Sequence, residues 1–289
     1  MKTRLVKIFI TALLALAFFV VLRSGSGPLS RKETRAESLF RQALDLRERG
    51  EWRRSLTLFE RAASFGSPKD VAALALYEKA MTLLTFSDET DETALSFEVA
   101  ADFAPDSVWG MRARKTLAEL CEDVLMDYEE AVVQWSRLLQ VITADPEAAQ
   151  RAPMTADQVV MRIALCYFRL GNYQQARVEL SPLLQKSADI GTRRRAAYMI
   201  ARSFYIGGEP KECIKTIQEN RELFRGSALE KDALYTLACC YEDVDKSDEA
   251  EKILRYLKER DELPVFVDMR LKAIRERRKL SGGRIAEQR

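Results

Sequence analysis

A chain of 289 residues that is 47% apolar and 31% charged has the composition of a core-forming protein, and its 12 Gly and 8 Pro are too few for a turn-rich β protein of that length. The 46 basic residues nearly balance the 44 acidic ones, so no one-sign field points to nucleic acid. There is no histidine, which removes Ser-His and Cys-His catalysis and the commonest metal ligand and leaves an enzyme only carboxylate or lysine chemistry.

The chain opens with Lys2, Arg4 and Lys7, followed by an apolar run from Ile8 to Leu22 that only Thr11 interrupts. As a helix this run spans about 22 Å, against a hydrocarbon core of about 30 Å. It is short for a membrane span and long for a signal-peptide core. Arg23 sits against Ser24 and Ser26, where a cut would fall, and this favours a signal anchor over residues 1–23. A cleaved signal and a buried core helix stay open as alternatives. The first cysteine is Cys121, so a lipidated amino terminus is not supported. Arg23, Arg31, Lys32 and Arg35 follow the run, so basic residues flank it on both sides and the positive-inside rule gives no clear vote. The three leading charges fit an amino end in the cytoplasm. The expectation is a single-pass inner-membrane protein, held through residues 8–22, with the remainder on the periplasmic side. "SGSGPLS" (24–30) gives residues 24–34 the character of a flexible linker.

From Arg35 onward the pattern is helical with short breaks, and a small residue returns after each break. These anchors are Ser55, Ala94, Ala131, Ala176, Cys213 and Ala250, separated by 39, 37, 45, 37 and 37 residues. Periods of this size mark stacked supersecondary units. Before three of the anchors the apolar residues fall at i, i+3, i+4 and i+7, one face of a helix: Val160, Ile163, Ala164 and Tyr167; Ala197, Ile200, Ala201 and Phe204; Leu234, Leu237, Ala238 and Tyr241. A second stripe follows each anchor, as with Ala176, Leu180 and Leu183. Each unit is therefore a helical hairpin that must stack on its neighbour to bury both helices. Where the two helices cross, their backbones approach and only small residues fit, which pairs Ala164, Ala201 and Ala238 with Ala176, Cys213 and Ala250. Gly171 and Gly208 suit the left-handed turn that ends the first helix. The last unit has Asp245 in that place.

These small pairs, the "GNY" turn and the large apolar residue four past each second small one resemble the tetratricopeptide repeat family. The first unit (36–62) keeps Gly50, Trp52, Phe59 and Ala62 around Ser55; the second, with Ala94 and Ala101, and the third, with Ala131 and Trp135, match more loosely. The resemblance implies an all-α, right-handed solenoid of about six repeats preceded by one hydrophobic helix. Repeats one to three would occupy 35–142, a connecting loop 143–156, and repeats four to six 157–263. A capping helix over 264–280 would carry Val267, Met269, Leu271, Ile274 and Leu280 on its apolar face and "RERRK" (275–279) on the other, with 281–289 as a tail.

The resemblance also implies a groove lined by first-helix residues off the packing stripe. The fourth repeat would contribute Gln158, Met161, Leu165, Phe168 and Arg169. The fifth would contribute Arg195, Tyr198, Arg202 and Tyr205, and the sixth Asp232, Tyr235, Cys239 and Glu242. Aromatic and arginine side chains are those enriched in interface hot spots, so a protein or peptide ligand is expected there, although the same residues could simply fill the groove. The Lys and Asn clamp by which some family members hold a terminal carboxylate lacks its Asn.

Other motifs favour plain readings. The five cysteines include no CxxC pair, and they read as buried thiols rather than metal ligands. "DVDKSDEAEKIL" (243–254) has Asp248 and Leu254 where a calcium loop needs Gly and Glu. The charge runs "RRR" (193–195) and "RERRK" read as solvated faces before they read as anion sites. No cofactor, metal or catalytic residue is implied. The expected function is a non-enzymatic scaffold in the bacterial envelope; the alternatives are a self-associating structural protein and an exported adaptor with its signal removed.

Overall fold

The computed structural model describes residues 34–66, 68–260, 262 and 264–287. The expected anchor at 1–23 lies outside the described residues, as does the linker except for Thr34. Among the described residues no helix is long and apolar enough to cross a membrane. The described chain is all-α, with no strand.

The chain divides into two compact units. One takes in the described residues up to Met126 together with Arg137–Pro153; the other takes in Asp127–Ser136 together with the described residues from Met154 onward. The first unit contains α1 (Arg35–Glu48), α2 (Trp52–Ser64), α3 (Lys69–Phe86), α4 (Thr90–Phe103) and α5 (Val108–Leu120). α6 (Tyr128–Ala144) runs from one unit into the other, and α7 (Pro146–Arg151) follows. A short helix thus occupies part of the segment expected to be a loop at 143–156. The second unit holds α8 (Ala156–Arg169), α9 (Tyr173–Lys186), α10 (Ile190–Ile206), α11 (Pro210–Glu219), α12 (Arg221–Phe224), α13 (Glu230–Asp243), α14 (Ser247–Glu259) and α15 (Pro264–Glu287).

Within each unit consecutive helices pack as hairpins, and each hairpin's first helix also touches the next one's first helix: α1 on α3, α3 on α5, α8 on α10 and α10 on α13. Local chemistry sets the helix starts. Thr34 and Thr155 each begin a capping box, with Glu37 and Gln158 returning the bond. Turns that close hairpins use left-handed residues: Gly50, Gly171 and Gly208 have φ of 84°, 74° and 78°. Asp245 takes φ 59° at the equivalent place in the last hairpin, so the turn survives without its glycine.

The buried pattern repeats more evenly than the sequence suggests. In α4 the buried residues are Thr93, Phe97, Ala100 and Ala101, while Ala94 is only half-buried. The true anchor is Thr93, so the separations become 38, 38, 45, 37 and 37. The residue four past each anchor is a large, fully packed side chain: Phe59, Phe97, Trp135, Leu180, Ile217 and Leu254. Each such burial is worth roughly 1.5–3 kcal/mol. A hydroxyl is tolerated at the crossing because its own helix accepts its proton. Ser55 Oγ donates to the Trp52 carbonyl at 2.7 Å, and Thr93 Oγ1 to that of Glu89 at 2.8 Å.

The small first-helix partner lies 12 residues before the anchor at Ala43, Ala164, Ala201 and Ala238, and 13 before it at Ala80; all five are fully buried. In the third hairpin a π-helical turn, Cys121–Leu125, occupies the join, and Met126 closes it at φ 55°.

Candidate functional site

Helix α10 is the centre of the expected groove, and its start is well fixed. The Asp189 carboxylate accepts from the backbone of Gly191 and Thr192 at 3.2 and 2.8 Å and from the Thr192 hydroxyl at 2.7 Å. These bonds, the hydroxyl first, hold its pKa below the ordinary aspartate value. Helix α10 buries Thr192, Ala196, Ala197, Ile200, Ala201 and Ser203. Arg195, Tyr198, Arg202 and Tyr205, spaced i, i+3, i+7 and i+10, share another face, with both arginines exposed and both tyrosines half-buried.

Each flank of this row meets the neighbouring first helices. On the α8 side, the Arg202 guanidinium lies 5.7 Å from the Phe168 ring centre, and Phe168 meets Tyr173 edge-on at 5.3 Å. Arg169 lies over the Tyr128 ring at 5.3 Å. Met161 and Leu165 are half-buried. Gln158 is exposed, but its side-chain oxygen accepts from the Thr155 backbone at 2.9 Å, so it is committed to the helix cap.

On the α13 side, Tyr198 lies beside Thr236 and Asp232; burial raises its pKa, the nearby Asp232 adds to that, and the Thr236 hydroxyl and Arg202 offset part of it. Tyr205 meets Cys239 and Arg270, and burial again raises its pKa first. Tyr235 packs against Phe266 with ring centres 6.1 Å apart. Arg270 and Phe266 both belong to α15, so the last helix joins the row rather than merely closing the end.

Glu242 departs from its expected place on an open groove. Its side chain is 1% exposed and accepts from Arg270 at 3.3 Å and from Arg277 at 3.1 Å. Helix α15 covers it, and its charge holds that helix down instead of facing a ligand. Cys239 is likewise buried, and its pKa is raised, with burial the leading cause. Beside it, Cys240 interacts with Cys213, and this contact, more than burial, pushes the Cys240 thiol far up. All five cysteines are buried free thiols.

Phe168, Tyr198, Arg202, Tyr205, Tyr235 and Phe266 thus form a continuous row across α8, α10, α13 and α15. Phe266 and its neighbours Val265 and Met269 are more than half exposed. The sequence pattern identified α15 from a stripe of Val267, Met269, Leu271, Ile274 and Leu280; Val267, Leu271 and Ile274 are buried, but Met269 is exposed and belongs to the open face instead. The pattern missed Phe266 and Arg270, although they lie one turn apart on a face adjoining that stripe. The charge run "RRR" is divided in role: Arg194 Nε donates to the Leu223 carbonyl at 2.6 Å, while Arg195 is exposed. A shallow hollow of about 410 Å³, lined by Asp157, Val160, Glu179 and Lys186 among others, opens where α8 meets α9. None of the row's six residues lines it.

Residues 158–186, spanning most of α8 and α9, match the tetratricopeptide repeat family. Comparison with curated proteins finds no match. Among solved structures, the type IV pilus biogenesis factor PilW aligns over 84% of this chain and 99% of its own at 16% identity, with a TM-score of 0.46. A tetratricopeptide repeat protein from Parabacteroides merdae aligns over 83% and 98% at 13% identity, with a TM-score of 0.38. A kinesin light chain with near-identical repeats from Podospora anserina aligns over 65% and 94% at 16% identity, with a TM-score of 0.41. The hairpin of α8 and α9 is a tetratricopeptide repeat, set in an all-α chain whose other hairpins bury the same positions.

Proposed function

We propose that the protein is a non-enzymatic scaffold that binds a segment of another protein along the row from Phe168 to Phe266. One observation carries this reading: aromatic and arginine side chains that remain partly exposed fall on four helices, α8, α10, α13 and α15, of one packed unit. Such side chains offer large contact area at low ordering cost and are the types that dominate interface energetics. The absence of histidine from the sequence argues against most acid–base chemistry. The apolar run Ile8 to Leu22 supports an envelope protein held at the inner membrane by its amino terminus, with the hairpins in the periplasm.

The test is photo-crosslinking in cells, with a photoreactive amino acid placed at Arg202 or at Met269. Val178, exposed on the second helix α9, is the control position. The reading expects adducts at the first two positions and none at the third. Adducts at Val178 alone, or at no position, would refute it. Fractionation of the same cells tests the anchor, which requires the protein to stay with membranes after washing in salt.

A further inference from the structure

The two ends of the row differ chemically. Helix α10, Ile190–Ile206, carries four arginines and no acidic residue. One of the four has an evident structural duty, Arg194, which holds the Leu223 carbonyl; Arg193 is half-buried, with its Nε lacking a hydrogen-bond partner. The other two face outward on the row. Arg195 lies 4.0 Å from Asp189, at the limit of an ion pair, and that aspartate is already engaged in capping the helix. Arg202 has no carboxylate partner among the described residues; its guanidinium rests on Phe168. An arginine held over a ring keeps its donors directed outward and loses little freedom when a carboxylate arrives.

The other end is apolar. Phe266 and Met269 on α15 are 56% and 66% exposed. Of the acids at that end, Glu242 is buried and paired with Arg270 and Arg277, and the exposed Asp268 is paired with Lys258. Tyr205 bridges the two ends, one turn beyond Arg202 on α10 and next to Arg270 of α15. The remaining acid of the row, half-buried Asp232, lies beside Tyr198.

We propose that the row binds an acidic segment of a protein partner, whose carboxylates meet Arg195 and Arg202 and whose apolar side chain sits against Phe266 and Met269. This rests on the row being the binding surface. Two carboxylates spaced to reach one helical face and an apolar residue beyond them would satisfy both ends together. A basic segment would instead leave both exposed arginines facing like charge.

The test is selection of a random-peptide display library on the full chain in detergent, followed by fluorescence anisotropy with one labelled winner. The expected winners are enriched in Asp and Glu and carry a large apolar residue to one side of them. Their affinity should fall on raising salt and drop about tenfold or more in Arg202→Glu, while Arg202→Lys, which keeps the charge, loses less. Met269→Ser should weaken binding without changing the salt dependence. Winners that depend on Tyr198 and Arg202 but show no acidic bias would overturn this proposal and leave the binding row standing. Winners indifferent to substitutions along the row, or none at all, would overturn both.

Discussion

The hairpins of 35–103 and those of 156–259 bury the same positions with different chemistry. At the helix crossing the earlier pair places Ser55 and Thr93, and the later three place Ala176, Cys213 and Ala250. The earlier hydroxyls return their protons to carbonyls of their own helix, so nothing polar is left unmade at the contact. Turn residues differ as well. Gly171 and Gly208 turn the first two of the later hairpins, and Asp245 turns the third at nearly the same φ. The packing geometry demands a small side chain and a left-handed turn, but not one particular residue for either.

If the positions are equivalent, truncating the large residue after the crossing should cost alike in both regions. Phe59→Ala and Leu180→Ala, each removing a side chain with no exposed surface, are expected to lose about 3–5 and 2–5 kcal/mol in urea unfolding. A loss below about 1 kcal/mol at either site would break the equivalence. The next effect lies just past the earlier region, at the start of α5. A Cβ on Gly110 would lie 2.0 Å from the Ala104 carbonyl oxygen, so Gly110→Ala forces backbone apart and should cost about 1–3 kcal/mol in the same assay.

Smaller effects separate the turns. Gly208 has open space around it, so Gly208→Ala pays only for the left-handed conformation, about 1 kcal/mol. Asp245→Gly is expected to go the other way and raise stability slightly, by about 0.5 kcal/mol, with a higher unfolding midpoint. If both changes move the midpoint in the same direction, the two turns are not equivalent. Smallest of all, Ser55→Ala should change stability by less than about 1 kcal/mol, because the lost hydrogen bond is local and the methyl fits the same crossing.

Much of the fold was legible because its rule is steric. Ala164, Ala201 and Ala238 and the stripes after Ala176 and Ala250 stand out where alanine is the residue that fits. The second hairpin was read one residue out of register for the opposite reason. Threonine looks polar in sequence, and Ala94 beside Thr93 looks like the better anchor until the Glu89 carbonyl takes up the hydroxyl. The π-helical turn at 121–125 left no signal because Met126, not glycine, takes the left-handed place. At the candidate site, the resemblance implied Tyr198, Arg202 and Tyr205, and their spacing puts all three on one face of α10. Neither could show that α15 folds over Glu242, since that depends on contacts with Arg270 and Arg277, 28 and 35 residues further along.

Helix α15 also covers an apolar face that would otherwise be open to other molecules. Val267, Leu271 and Ile274 belong to the same buried cluster as Leu254 and Leu257 of α14. Without α15 that stripe would be a bare docking face, and a stacked array with one bare face invites head-to-tail growth, since an interface that does not close on itself yields fibres rather than dimers. Glu242, clamped by two arginines, thus helps to hold in place the helix that covers this face. A chain cut before Pro264 is the form in which filaments should first be seen.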